Sequence, residues 1–225
     1  MRPVEKGIAP STYRRYQQAR NELAERIGWY CSYCETPVKN MIEVEHVIPK
    51  DLRPDLRLSW ENFLLACKYC NTVKRARNTD RAGYLWPDQD NTDLAFQYSE
   101  TAVIEPMHGL VTNIQAAAQK TIDLMGLDRR PGGTNEPTPA DTRYISRFEA
   151  WIQAKASLNR WHQAPIPPMA EQIAISAAGF GHFSIWNTVF AGESIVLGLI
   201  RLAFIGTFSD TDGGGVRLVR SGGIL

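Results

Sequence analysis

The chain has 225 residues, 44% hydrophobic and 22% charged, which excludes a disordered polymer and suits one ordinary domain, or a small domain with a larger companion. A formal net charge of +1 excludes a global field that would draw the protein to nucleic acid. The N-terminus, MRPVEKGIAP, lacks the apolar core of a signal peptide, and the longest uncharged stretch of the C-terminal half, QIAISAAGFGHFSIWNTVFAG, is broken by polar residues and glycines. The expectation is a cytoplasmic protein without a membrane span and without disulfides.

In chain order, STYRRYQQARNELAERIG places Tyr13, Tyr16, Arg20, Leu23 and Ile27 on one helical face, with Ser11 as N-cap and Gly28 as C-cap. WYCSYCETPV reads as a knuckle and MIEVEHVI as a strand with His46 near its end. DLRPDLRLSWEN is a loop, NFLLAC a short apolar run that packs inward, and NTVKRARNTDRAG a helix that ends before Gly83. GYLWPDQDNTDLAFQYSET reads as loop and strand.

A second unit follows. GLVTNIQAAAQKTIDLMGLD is helical, with Leu110, Ile114, Ala117, Ala118, Thr121 and Leu124 on one face, and RRPGGTNEPTPADT is a linker, since Pro and Gly at this density break both regular structures. RYISRFEAWIQAKASLNRWH is an amphipathic helix that gathers Ile145, Phe148, Ile152, Ala156 and Leu158. PMAEQIAISAAGF and GESIVLGLIRLAF are further helices, and DTDGGGVRLVR is a turn leading to a short strand. FGHFSIWNTVF reads as core, and His108, His162 and His182 have no ligand partners at metal spacing.

The cysteines carry the clearest signal. Cys31 and Cys34 form one C-x2-C pair, Cys67 and Cys70 a second, with 32 residues between the pairs. That spacing predicts two knuckles around one zinc, and a site closed by four thiolates is structural. Any reaction then belongs to the groups the zinc clamps: Glu43, Glu45, His46 and Asn62 between the pairs, and Asn71 and Lys74 just beyond. On a strand Glu43 and Glu45 point to one side and His46 to the other, so the strand must end or bulge near His46 for both to serve one site. From Cys67 to Arg81 five basic residues (Lys68, Lys74, Arg75, Arg77, Arg81) stand against one acid, Asp80, a patch suited to phosphates.

The segments CSYC, EHVIPK and WENFLLACKYCNTVKRA resemble the HNH endonucleases of the ββα-metal class, in the form stapled by a four-cysteine zinc, over about residues 28–80. The resemblance implies an α+β fold: an N-terminal nuclease domain over 1–100, then a mainly α-helical region over 101–225 with a docking or structural role. It implies hydrolysis of phosphodiester bonds in nucleic acid, DNA rather than RNA, with His46 as general base and Asn62 orienting the loop and the histidine. Asn71 stands where the family more often has the last histidine, and Glu45 where it more often has Asp; both are implied ligands of a catalytic divalent cation. Their oxygen donors favour Mg²⁺ or Mn²⁺. Lys50, Lys74, Arg75 and Arg77 become the expected phosphate contacts. MRPVEKGIAP, IGWYCSYCE, MGLDRRPG and FSIWNTVF further resemble the HNH subunits of Septu-type anti-phage defence systems, which implies an ATPase partner docked on the helical region. The alternative is a non-catalytic zinc module that binds nucleic acid or a protein partner, for which Cys31 matters and Glu45 and Asn71 do not.

Overall fold

The computed structural model describes residues 1–208 and 219–225, so the turn and strand expected at DTDGGGVRLVR fall almost wholly outside the described residues. The first helix is shorter than expected. A 3-10 turn, Tyr16–Gln18, leads into α1, Ala19–Ile27. Ser11 is not the cap: its hydroxyl donates to the Glu22 carboxylate at 3.1 Å, while Gln18 Oε1 accepts the backbone N–H groups of Arg14 and Arg15 and starts the turn. Gly28, at a φ of 77°, closes α1 by donating to the Ala24 carbonyl.

The central unit is β1 (Glu43–His46) paired antiparallel with β2 (Phe63–Ala66), with Glu43 opposite Ala66 and His46 opposite Phe63. β1 stops at His46, as the alternation of its side chains requires. β2 is buried throughout and runs through Cys67 into α2, Lys68–Lys74, whose first turn is capped by the Cys67 sulfur accepting from the Cys70 N–H. α2 starts three residues before the expected segment and stops well short of Gly83. It begins on the cysteine cap and ends at Lys74 because Arg75 takes a φ of 48° and buried Asn78 donates to the Val47 and Asp80 carbonyls, drawing the chain back under β1.

Next come β3 (Phe96–Tyr98) and β4 (Ile104–Pro106), an antiparallel hairpin. The boundary expected between 100 and 101 falls in its turn. α3 (Thr112–Met125) packs on α2 and β4 and buries Ala117, Ala118, Thr121 and Leu124. After an irregular stretch over 129–142 come α4 (Arg143–Gln163), α5 (Pro167–Phe180), α6 (Phe183–Val189) and α7 (Ser194–Ala203). α5 packs on α7, and α4 on α6.

α4 corrects the sequence reading. Its buried residues are Arg143, Arg147, Ala150, Ala154, Ser157 and Trp161, a regular helical stripe, whereas Ile145, Phe148 and Ile152 are exposed. The small and basic residues face inward because buried Arg147 donates to the carbonyls of Ala102 at 2.7 Å and Leu127 at 3.1 Å, backbone oxygens that no apolar side chain could satisfy.

One hydrophobic core runs through both parts of the chain. Buried Glu35 accepts from the backbone and hydroxyl of Ser184 at 2.8 and 2.6 Å and from the Arg2 backbone at 2.6 Å, tying the first knuckle to α6 and to the N-terminal segment. Gly181, at a φ of 71°, passes so close that an added Cβ would lie 2.8 Å from the Glu35 carbonyl. No described helix is long and apolar enough to cross a membrane. Ala154→Leu is expected to cost about 1–3 kcal/mol in urea denaturation by overfilling the inner face of α4, and Ile152→Ser, on the outer face, to stay within about 0.5 kcal/mol of wild type.

Candidate active site

The knuckles bring all four cysteine sulfurs within 4.8 Å of one another, fully enclosed. Cys34 and Cys67 lie 3.7 Å apart, close to the edge of about 3.8 Å that a tetrahedron of thiolates around one zinc would have. Among the described residues this is the one group of three or more Cys, His, Asp and Glu side chains gathered at metal-ligand distance. The Cys34 thiol is held well below the ordinary range, chiefly by its hydrogen bond with Cys31, while burial pushes Cys70 up. Four enclosed sulfurs cannot all ionise without a cation among them.

The helical region reaches this cluster. Arg143, at the start of α4, donates to Cys70 Sγ at 3.2 Å, to the Met125 and Gly126 carbonyls at 2.9 and 3.1 Å, and to both oxygens of Asp141 at 2.8 and 2.7 Å. A buried guanidinium against a metal thiolate offsets the excess negative charge of a four-thiolate centre.

At the end of β1 lies a cleft of about 280 Å³ whose walls include Tyr16, Glu45, His46, Lys50, Asn71 and Arg75. Since β1 ends at His46 and is an edge strand, consecutive side chains Glu45 and His46 both reach it. His46 Nε2 lies 3.0 Å from the Arg57 carbonyl. A carbonyl can only accept, so Nε2 carries the proton and Nδ1 is left as the acceptor. Burial holds the imidazole below its ordinary pKa, opposed by the Arg57 bond and helped by the charges of Lys50 and Lys74, which favours the neutral ring.

Asn62 does not line the cleft. Its Oδ1 accepts from the Ile48 N–H and its Nδ2 donates to the Ile48 carbonyl, both at 2.8 Å, which fixes the loop that leaves His46. On α2, Asn71 Nδ2 donates to Glu43 Oε2 at 2.5 Å, leaving Oδ1 without a partner among the described residues. Glu45 and Asn71 Oδ1 are hard oxygen donors of the type that holds Mg²⁺ or Mn²⁺, and Glu43 fixes which end of the Asn71 amide is presented.

Lys74 is a correction. It is not a phosphate contact: at 1% exposure its ammonium lies 2.7 Å from Glu45 Oε1 and donates to the His46 carbonyl at 2.9 Å. It follows β2 on the inner face of a short helix, which charge counting cannot reveal. Burial drives the Glu45 carboxyl up and the Lys74 ammonium down, and each is held back by the other. The basic patch disperses in other ways too. Arg77 is outside the cleft and donates to the Asp123 and Leu124 carbonyls at the end of α3, and Arg81 pairs with Asp88 at 2.9 Å. Lys50 and Arg75 remain at the cleft. Tyr16 and Asp51 also line it; neither sits at a recognisable spacing from His46 in the sequence. His182, buried with its side chain 2.9 Å from Ser146 Oγ, is a core histidine held down to a pKa of about 4 by burial.

Residues 31–77 match the HNH endonuclease family. The chain is also 36% identical over 71 residues to the Septu protein PtuB of Bacillus thuringiensis, a stretch that is 30% of this chain and 28% of that protein.

Two measurements check this geometry. Arg143→Ala is expected to weaken retention of the bound metal roughly 10- to 100-fold in chelator competition. Lys74→Met leaves Glu45 buried and uncompensated and is expected to cost about 3–5 kcal/mol in urea denaturation, where Lys50→Met at the cleft rim costs less than about 0.5 kcal/mol.

Proposed function

Since the chain carries an HNH endonuclease domain at residues 31–77, we propose that it is a metal-dependent endonuclease hydrolysing phosphodiester bonds in nucleic acid, DNA in preference to RNA. The observation that carries this is His46, with Nε2 engaged by the Arg57 carbonyl, in one cleft with Glu45, Asn71, Lys50 and Arg75. His46 Nδ1 accepts the proton of a water whose oxygen attacks phosphorus as the bond to the leaving oxygen breaks. Arg57 holds the far nitrogen of the ring and Asn62 holds the following loop, which limits how far the ring can swing. Lys50 and Arg75 supply positive charge at the rim for the substrate phosphates.

Glu45 and Asn71 Oδ1 would hold Mg²⁺ or Mn²⁺, which supplies positive charge to oxygens that become more negative in the transition state. The four cysteines would hold a structural zinc. The likeness to the Septu protein PtuB supports a place in a Septu-type defence system; a cytoplasmic location and an ATPase partner docked on the helical region are part of the same proposal.

Cleavage of plasmid DNA and of structured RNA with Mg²⁺, with and without a co-encoded ATPase, tests this. His46→Ala is expected to lower the rate roughly 10²–10⁴-fold, and full activity in that variant would overturn the assignment. If Glu45→Ala and Asn71→Ala retained function while Cys31→Ser lost it, the protein would instead be a non-catalytic zinc module.

A further inference from the structure

We propose that Tyr16, which lies outside the matched segment, is a positioning residue of the cleft: its ring holds the His46 imidazole and the Lys50 ammonium toward one place, where a phosphodiester would sit. The inference rests on the endonuclease reading.

The imidazole of His46 has three neighbours that fix it. Two come from the ββα unit and the loop within it: the Arg57 carbonyl on Nε2, and the Phe63 ring, edge-on at 5.2 Å and 87°. The third is Tyr16, whose ring centroid lies 4.7 Å from that of His46 at 71°. Phe63 is fully buried and Tyr16 partly exposed, so Tyr16 is the aromatic wall that borders the open cleft. Without it the imidazole would be restrained by Phe63 and one hydrogen bond, and the ring could tilt.

The same ring attracts Lys50. Its Nζ lies 5.5 Å from the Tyr16 centroid, and Lys50 makes no hydrogen bond or ion pair among the described residues. A lysine side chain is a flexible stem with a mobile charge, and an aromatic face that attracts the ammonium restricts where that charge is found. Tyr16 itself is fixed, because Gln18 Oε1 accepts from the Arg14 and Arg15 backbone at 3.0 and 2.9 Å and holds the turn. Both contacts run through the ring, and the hydroxyl has no hydrogen-bond partner among the described residues. The effect therefore belongs to the aromatic ring rather than to the phenol.

Steady-state cleavage with Mg²⁺ by wild type, Tyr16→Leu, Tyr16→Phe and Lys50→Ala tests this, with bound metal and melting temperature recorded for each. Tyr16→Leu is expected to lower kcat roughly 10- to 100-fold while it keeps its metal, and to raise KM no more than Lys50→Ala does. Tyr16→Phe is expected to restore most of the lost kcat. Proton NMR of the imidazole gives a readout independent of cleavage: the His46 ring resonances should move in Tyr16→Leu as the ring current is lost, and return in Tyr16→Phe. Wild-type kcat in Tyr16→Leu, unmoved His46 resonances, or a Tyr16→Phe as slow as Tyr16→Leu would each overturn the proposal. Absence of cleavage by wild type itself would refute the endonuclease reading, and the resonances would still decide whether Tyr16 orients His46.

Discussion

Three successive carbonyl oxygens, those of His46, Val47 and Ile48, each accept a hydrogen bond from a distant side chain: Lys74, Asn78 and Asn62. The chain here is leaving β1 and is no longer held by ladder bonds to β2 beyond the Val47 N–H, which donates to the Asn62 carbonyl. A loop in this position would ordinarily be free to move. Because its acceptors are met from α2, from the bend after α2 and from the turn just before β2, it is fixed to all three at once, and the His46 ring is presented at a defined angle to the cleft. Buried amides and a buried ammonium are costly unless every donor is met, so the arrangement tolerates few alternatives.

The cysteine cluster fixes the same unit from the opposite end. It ties the first knuckle to the N-terminus of α2, and α2 in turn carries Asn71 toward the cleft and Lys74 beneath it. One short helix therefore serves the cluster with its first turn and the cleft with its last. Its seven residues would be marginal alone; tertiary contacts at both ends hold it helical.

Much of this was legible in the sequence, and the failures share a cause. The paired cysteines, the strand ending at His46 and the inward packing of NFLLAC follow from spacing and alternation, which are local properties, whereas Glu45, His46, Lys50, Asn71 and Arg75 are singled out by the family resemblance and share one cleft. Lys74 was misread because only the packing of α2 on β1 shows that its charge is buried against Glu45. The face of α4 was inverted for a related reason: periodicity of apolar residues finds a stripe of Ile and Phe, but the core needed donors for the Ala102 and Leu127 carbonyls, and arginine supplied them. Tyr16 stood in a segment read only as helix. Its approach to His46 depends on the 3-10 turn set by Gln18, a feature of backbone acceptors that hydrophobic patterning does not report.

The hairpin of β3 and β4 bears on how portable the HNH unit is. A fragment cut at its turn would keep every residue that lines the cleft, yet it would lose the strand paired with β3, the arginine donor to Cys70 and the hydroxyl that meets Glu35. Its edge strand would be left unpaired, a template for association with other chains. The segment that matches the HNH family is thus compact in sequence but not in structure. Transplanting it to another protein would require carrying the helical region with it, and an insertion tolerated elsewhere on the surface would be disruptive at this turn.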